Sequence, residues 1–216
     1  MIQLNLQGPA AKPLAVLCLG AHSDDIEIGC GGTVLRLAEQ YPGTVFHWVV
    51  FSAIGVREVE AERAAALFVR PESLRGPLLK TFPDGFLPFV GGEVKAVFEE
   101  LKAVAPDVIF THNGTDAHQD HRLLSELTWN TFRNHLILEY EIPKYDGDMG
   151  RPSVFVSLES RVCETKVRHI MQAFQSQHAK RWFQENTFLS LLRLRGMECN
   201  APSGYAEAFY CRKLVL

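Results

Sequence analysis

Leu14-Ala15-Val16-Leu17-Cys18-Leu19-Gly20, followed at once by Ala21-His22-Ser23-Asp24-Asp25-Ile26-Glu27, decides the fold class. An uninterrupted apolar run of this length, without polar alternation, reads as a strand buried on both faces, the mark of a parallel sheet covered by helices. After Lys12 the same run could serve as the apolar region of a signal peptide. Its shortness, the lack of positive charge before Lys12 and the polar residues that follow favour the strand.

Working outward, residues 45–51 and 107–111 repeat the near-continuous apolar pattern. Segments of helical period fill the intervals at 32–40, 57–68 and 93–104, each ending near a proline, and a fourth begins near His121 and runs to Phe132. A strand at 136–142, a polar loop at 143–152, a strand at 154–158, a helix at 161–174 and a last strand at 208–215 complete the chain. This alternation predicts an α/β fold: a mostly parallel sheet with helices on both faces, an irregular C-terminal third, and one domain over residues 1–216.

Composition excludes several function classes. Lys and Arg total 22 against 25 Asp and Glu, a net charge of −3, with no basic stripe to meet nucleic acid. No stretch approaches the roughly 20 apolar residues of a transmembrane segment. The five cysteines, Cys18, Cys30, Cys163, Cys199 and Cys211, are odd in number and form no C-x-x-C pair, so a reducing, cytoplasmic setting is expected.

The chemistry lies in two segments that each follow a predicted central strand, 21–27 and Asp116-Ala117-His118-Gln119-Asp120-His121. Ligands of open parallel sheets bind beyond the carboxyl ends of the strands, so the two loops should meet at one edge. His22 and Asp25 put an imidazole and a carboxylate on one tight turn, and His121 supplies a third donor. Two histidines and one carboxylate leave zinc an open position for water. Asp24 could act as general base on that water, whose pKa the metal lowers toward about 7. His118 could donate to a developing oxyanion, and Asp120 could accept from His118 and hold it cationic. The same donors also suit Fe(II), Co(II) or Mn(II).

A lone His-x-x-Asp is common, and paired aspartates often cap helices; the conjunction of two such clusters gives the metal reading its weight. Gly29, Gly31 and Gly32 lack the spacing of a dinucleotide fingerprint and read as packing or loop residues before a helix that opens at Thr33. Cys30 is a poor nucleophile. His112 is expected to line the pocket, His47 to lie in a strand, and His135, His169 and His178 to serve surface or packing roles.

The stretch Ala21-His22-Ser23-Asp24-Asp25-Ile26-Glu27-Ile28-Gly29-Cys30-Gly31-Gly32-Thr33 resembles the A-H-P-D-D…G-x-G-G-T signature of the LmbE/PIG-L family of zinc-dependent de-N-acetylases, and His118-Gln119-Asp120-His121 resembles its H-x-D-H motif. The likeness extends to Arg57, Glu60 and Ala64-Ala65, to Pro83-Asp84-Gly85, to Ser176-Gln177 and to Ala206-Glu207-Ala208-Phe209. It implies a Rossmann-like hydrolase that removes acetyl from an N-acetylglucosamine-type substrate with one divalent metal, zinc being the expected ion. By resemblance His22, Asp25 and His121 are the ligands, Asp24 the base and His118 the electrostatic catalyst, while Arg57 and Asp84 contact the sugar. Ser23 replaces the family's proline, which would fix φ at roughly −65°. An N-acetylated amino sugar is the expected partner, and a homo-oligomer is compatible with the sequence. The contrasting readings are a non-catalytic, metal-stabilised binding or assembly protein, against which an intact base beside the ligands argues, and a metal phosphoesterase, which commonly needs a second metal and more carboxylates.

Overall fold

A computed structural model describes Leu6 and residues 12–215. A seven-stranded sheet has the order β3-β2-β1-β4-β5-β7-β6, with β1 Ala15–His22, β2 Val45–Ser52, β3 Leu74–Leu79, β4 Val108–His112, β5 Leu136–Tyr140, β6 Val154–Ser157 and β7 Ala206–Tyr210. The first five strands pair in parallel; β7 runs antiparallel to both β5 and β6. Helices α1 Asp25–Gln40, α2 Val56–Phe68, α3 Gly91–Leu101, α4 Gln119–Thr131, α5 Ser160–Ala173 and α6 Glu185–Glu198 connect or flank them.

Alternate residues of β1 face two separate cores, which is why its sequence has no polar phase. Val16 and Cys18 join Ile26, Phe68, Ile170 and Phe188 from α1, α2, α5 and α6 on one side. Leu17, Leu19 and Ala21 join Val94, Phe98 and Leu124 from α3 and α4 on the other. The 14–20 run is therefore a strand.

Several boundaries differ from expectation. Helix α1 starts at Asp25, not near Gly32, so Gly29, Gly31 and Gly32 are helical. Glycine inside a helix is disfavoured by roughly 0.5–1 kcal/mol relative to alanine, which hides this start from the sequence. Packing explains the glycines: a Cβ at Gly29 would stand 2.2 Å from the Tyr140 ring, and one at Gly31 2.5 Å from Phe68. Edge strand β3 holds Gly76 and Pro77, residues depleted from strand interiors. Helix α6 escapes the apolar-stripe reading because its buried face includes Arg195, paired with Glu141 at 2.6 and 2.8 Å. The last strand begins at Ala206 and ends at Tyr210, so it is earlier and shorter than the predicted 208–215. Among the described residues no helix is long and apolar enough to cross a membrane.

Candidate active site

Strands β1 and β4 are parallel neighbours, so the loops after them meet at the carboxyl edge of the sheet. The β1 chain passes directly into α1 through Ser23 and Asp24, and the Asp25 carboxylate accepts from the His22 backbone N–H at 2.6 Å. After β4, residues 113–118 turn into α4, whose N-cap His118 accepts the Asp120 backbone N–H on Nδ1 at 3.2 Å.

Three donor atoms converge there. His22 Nδ1 lies 3.2 Å from His121 Nε2 and 3.3 Å from Asp25 Oδ2, and His121 Nε2 lies 3.6 Å from Asp25 Oδ2. A tetrahedral ion with nitrogen and oxygen ligands at about 2.0–2.1 Å separates its ligands by about 3.3 Å, so this triangle fits one. The supporting contacts suit the same role. Asp116 Oδ2 meets His121 Nδ1 at 3.0 Å, placing the ring proton there and leaving Nε2 as a lone pair. Asp116 in turn accepts the His118 backbone N–H and pairs with Lys144 at 3.0 Å.

His112 is also close, with Nε2 3.2 Å from Asp25 Oδ2 and its ring stacked on His121 at 3.8 Å. Its Nε2 already accepts the Ala21 backbone N–H at 3.0 Å, so it fits the role of a buttress better than that of a ligand. His112 does line the pocket as its position after β4 predicts, whereas the part played by Asp116 is not among the sequence expectations. The spacing Asp116…His121 was the available signal, since one turn into α4 brings the ring back to the loop.

The ionisation pattern follows from these contacts. Burial opposes charge on His22, yet Asp25, Asp120 and Asp84 lift its pKa well above the ordinary imidazole value. Burial and neighbouring His112 depress His121 to about 4. Against its burial, Asp25 is held well below the usual carboxylate range by His121, His112 and His22. Asp24 is pushed up by burial despite its 2.8 Å pairing with Arg57.

Other expected residues take different partners. Asp120 does not pair with His118 through its carboxylate: it accepts from the backbone N–H groups of Gly85 at 2.8 Å and Leu87 at 3.1 Å and faces His22 Nε2 at 3.3 Å. Without that pairing, burial and His22 lower the His118 pKa, so His118 is neutral rather than cationic. Arg57 spends its guanidinium on Asp24 and on Glu60, both at 2.8 Å. Glu207 lies elsewhere, paired with Lys166. Asp84 stands at the mouth, its side chain 75% exposed, with Oδ1 3.1 Å from His22 Nε2. Glu27 is fully buried, and neither carboxylate oxygen has a partner among the described residues.

The family model described as GlcNAc-PI de-N-acetylase (PIG-L) matches residues 17–132, more than half of the chain and both loops of the site. The chain belongs to the PIG-L family. An uncharacterized deacetylase of Escherichia coli (strain K12), YaiS, is 25% identical over 178 residues, covering 75% of this chain and 91% of its own. Two solved structures share the fold. The conserved protein TT1542 of Thermus thermophilus has a TM-score of 0.76 at 23% identity, covering 94% of this chain and 96% of that one. The N,N'-diacetylchitobiose deacetylase of Pyrococcus horikoshii has a TM-score of 0.75 at 21% identity, covering 96% and 86%. The PIG-L family is a deacetylase family, and the protein carries a His/Asp set able to hold a metal ion at the expected edge of the sheet.

Proposed function

We propose that this chain is a zinc-dependent de-N-acetylase that removes acetyl from an N-acetylglucosamine-type substrate. The observation that carries the reading is the His22, Asp25 and His121 triangle with Asp24 as the adjoining residue. These three side chains would hold one divalent ion, and two imidazoles with one carboxylate favour zinc. When bound, the ion supplies Lewis acidity to the amide carbonyl and to water.

The chain's own groups do the rest. Asp24, made more basic by burial and steadied by Arg57, takes the proton of the attacking water and returns it to the leaving amine nitrogen. His118, with Nδ1 occupied by the Asp120 backbone N–H, carries its proton on Nε2 and donates it in a hydrogen bond to the tetrahedral oxyanion. Asp120 acts on His22 and on the loop holding Gly85 and Leu87. Asp84, exposed at the mouth, meets the sugar hydroxyls, while Arg57 acts through Asp24.

The chitobiose deacetylase among the structural neighbours supports an amino-sugar substrate. The single sheet from Ala15 to Tyr210 supports one catalytic domain, and the free state of all five cysteines supports a cytoplasmic setting. The test is acetate release from a panel of N-acetylglucosamine conjugates by zinc-loaded and metal-stripped protein. Release that depends on zinc is expected. No release from any conjugate, with zinc bound and its coordination closed by a fourth side chain, would favour the non-catalytic binding protein.

A further inference from the structure

Behind the base, Glu60 on α2 meets the turn that follows α5. Its Oε1 accepts the Ser176 backbone N–H at 2.8 Å and its Oε2 the Ser176 hydroxyl at 2.7 Å, while Gln177 Nε2 donates to that hydroxyl oxygen at 2.9 Å. Glu60 Oε2 also takes Arg57 Nη1 at 2.8 Å, and Arg57 Nη2 reaches Asp24 Oδ1 at 2.8 Å. One guanidinium is thus divided between two carboxylates. We propose that Glu60 and Ser176 are positioning residues for the reaction: by holding one prong of the Arg57 fork they limit the other to a single contact with Asp24, so that the base keeps an oxygen free. The inference rests on Asp24 being the base of a deacetylase and adds the residues that set its orientation.

An arginine beside a carboxylate commonly closes on it with two parallel N–H···O bonds. Asp24 and Glu60 are both buried, at 6% and 4% exposure, where water competes little for the guanidinium. With Glu60 on Nη1, Arg57 has only Nη2 to offer Asp24, and Asp24 Oδ2 is left to take the proton of the attacking water. Without Glu60, Nη1 turns to Oδ2 and the fork covers both oxygens of the base.

The cradle around Arg57 preserves the division. The guanidinium carbon lies 5.2 Å from the centroid of the buried Phe174 ring, which restricts how the fork can turn. Two donors from Ser176 fix the plane of the Glu60 carboxylate, so a residue 116 positions away in the chain decides which oxygen meets Arg57.

A cycle of four zinc-loaded proteins, wild type, Glu60→Gln, Asp24→Asn and the double variant, separates positioning from bracing. Each is assayed for acetate release from the most active N-acetylglucosamine conjugate, with zinc content and melting curve measured on the same sample. Glu60→Gln keeps the shape of the side chain and removes the charge that competes with Asp24 for the guanidinium. It should lower kcat by about tenfold to a hundredfold at unchanged zinc content, with KM within about twofold. In the Asp24→Asn background the same substitution should change kcat by less than about twofold, because the base it acts through is gone. Ser176→Ala, at an exposed position, should lower kcat by a smaller factor, and Ser176→Thr should restore it. Should Glu60→Gln not fold, the Ser176 pair run through the same cycle carries the test.

An equal fall in both backgrounds makes Glu60 a brace between α2 and the turn after α5, which overturns the positioning role and leaves Asp24 as the base. So does wild-type kcat in Glu60→Gln, or a change confined to KM; wild-type kcat in Ser176→Ala removes Ser176 from the device. Wild-type turnover in Asp24→Asn removes the base itself, and no release by wild type from any conjugate removes the deacetylase reading; either result overturns this inference with it.

Discussion

His22 Nδ1 stands 3.2 Å from His121 Nε2, so in the metal-free protein the two facing nitrogens share one proton. Their surroundings decide which ring keeps it. His22, beside Asp25, Asp120 and Asp84, is lifted well above the ordinary value, whereas His121 is depressed to about 4. Near neutral pH His22 is the cation and His121 the neutral acceptor.

Zinc must displace that proton to reach His22 Nδ1. Binding at pH 7 should therefore release about one proton per ion. Calorimetry in two buffers of different ionisation enthalpy measures it. Zero release would mean that His22 is already neutral and that the charge distribution is wrong.

The same two rings set opposite pH slopes for the metal-free fold. Unfolded His121 titrates near 6.5, so between 6.5 and about 4 the unfolded chain binds more protons and stability falls as pH falls. His22 contributes stability that is full below 6.5 and lost as pH rises through its raised folded pKa. Denaturant midpoints across pH 4–9 should peak near pH 6.5 for metal-free protein; a monotonic rise through that range would contradict this.

His118 donates as a neutral imidazole to a charge that exists only after attack. His118→Ala should lower kcat by about 10²–10³ with little change in KM. Its depressed pKa places any loss by titration on the acid side of the pH profile. A change confined to KM would make His118 a substrate contact.

Far from the reacting atoms, a buried ion pair braces α1. Lys166 Nζ donates to the Ile28 carbonyl at 2.6 Å and pairs with Glu207 Oε1 at 2.6 Å. Glu207 accepts the backbone N–H groups of Gly32 and Thr33 at 2.7 and 2.6 Å. Lys166→Met leaves a carboxylate uncompensated in the core, and a loss of about 3–5 kcal/mol is expected. Thermal unfolding should move down by roughly 10 °C. An unchanged transition would show that the amides of α1 suffice for Glu207.

The residues whose environment is set by neighbours in sequence were the legible ones. The apolar 14–20 run gave a central strand, and its adjacency to β4 brings His22, Asp25 and His121 together as expected. What sequence could not show depends on distant contacts. The start of α1 is hidden by glycines that exist because Tyr140 and Phe68 press against the helix. The partners of Asp120 come from the loop after β3, an edge strand with Gly76 and Pro77 that the strand pattern does not reveal. Once Asp120 turns to that loop, His118 loses the carboxylate that was expected to keep it charged.

Turnover and zinc content of Asp24→Asn, measured on one sample, test the central claim most directly. Asp24 adjoins the donor set without belonging to it, so the account predicts one bound zinc as in wild type and acetate release lower by roughly 10²–10⁴. Wild-type release at equal zinc would contradict it by removing Asp24 as the base.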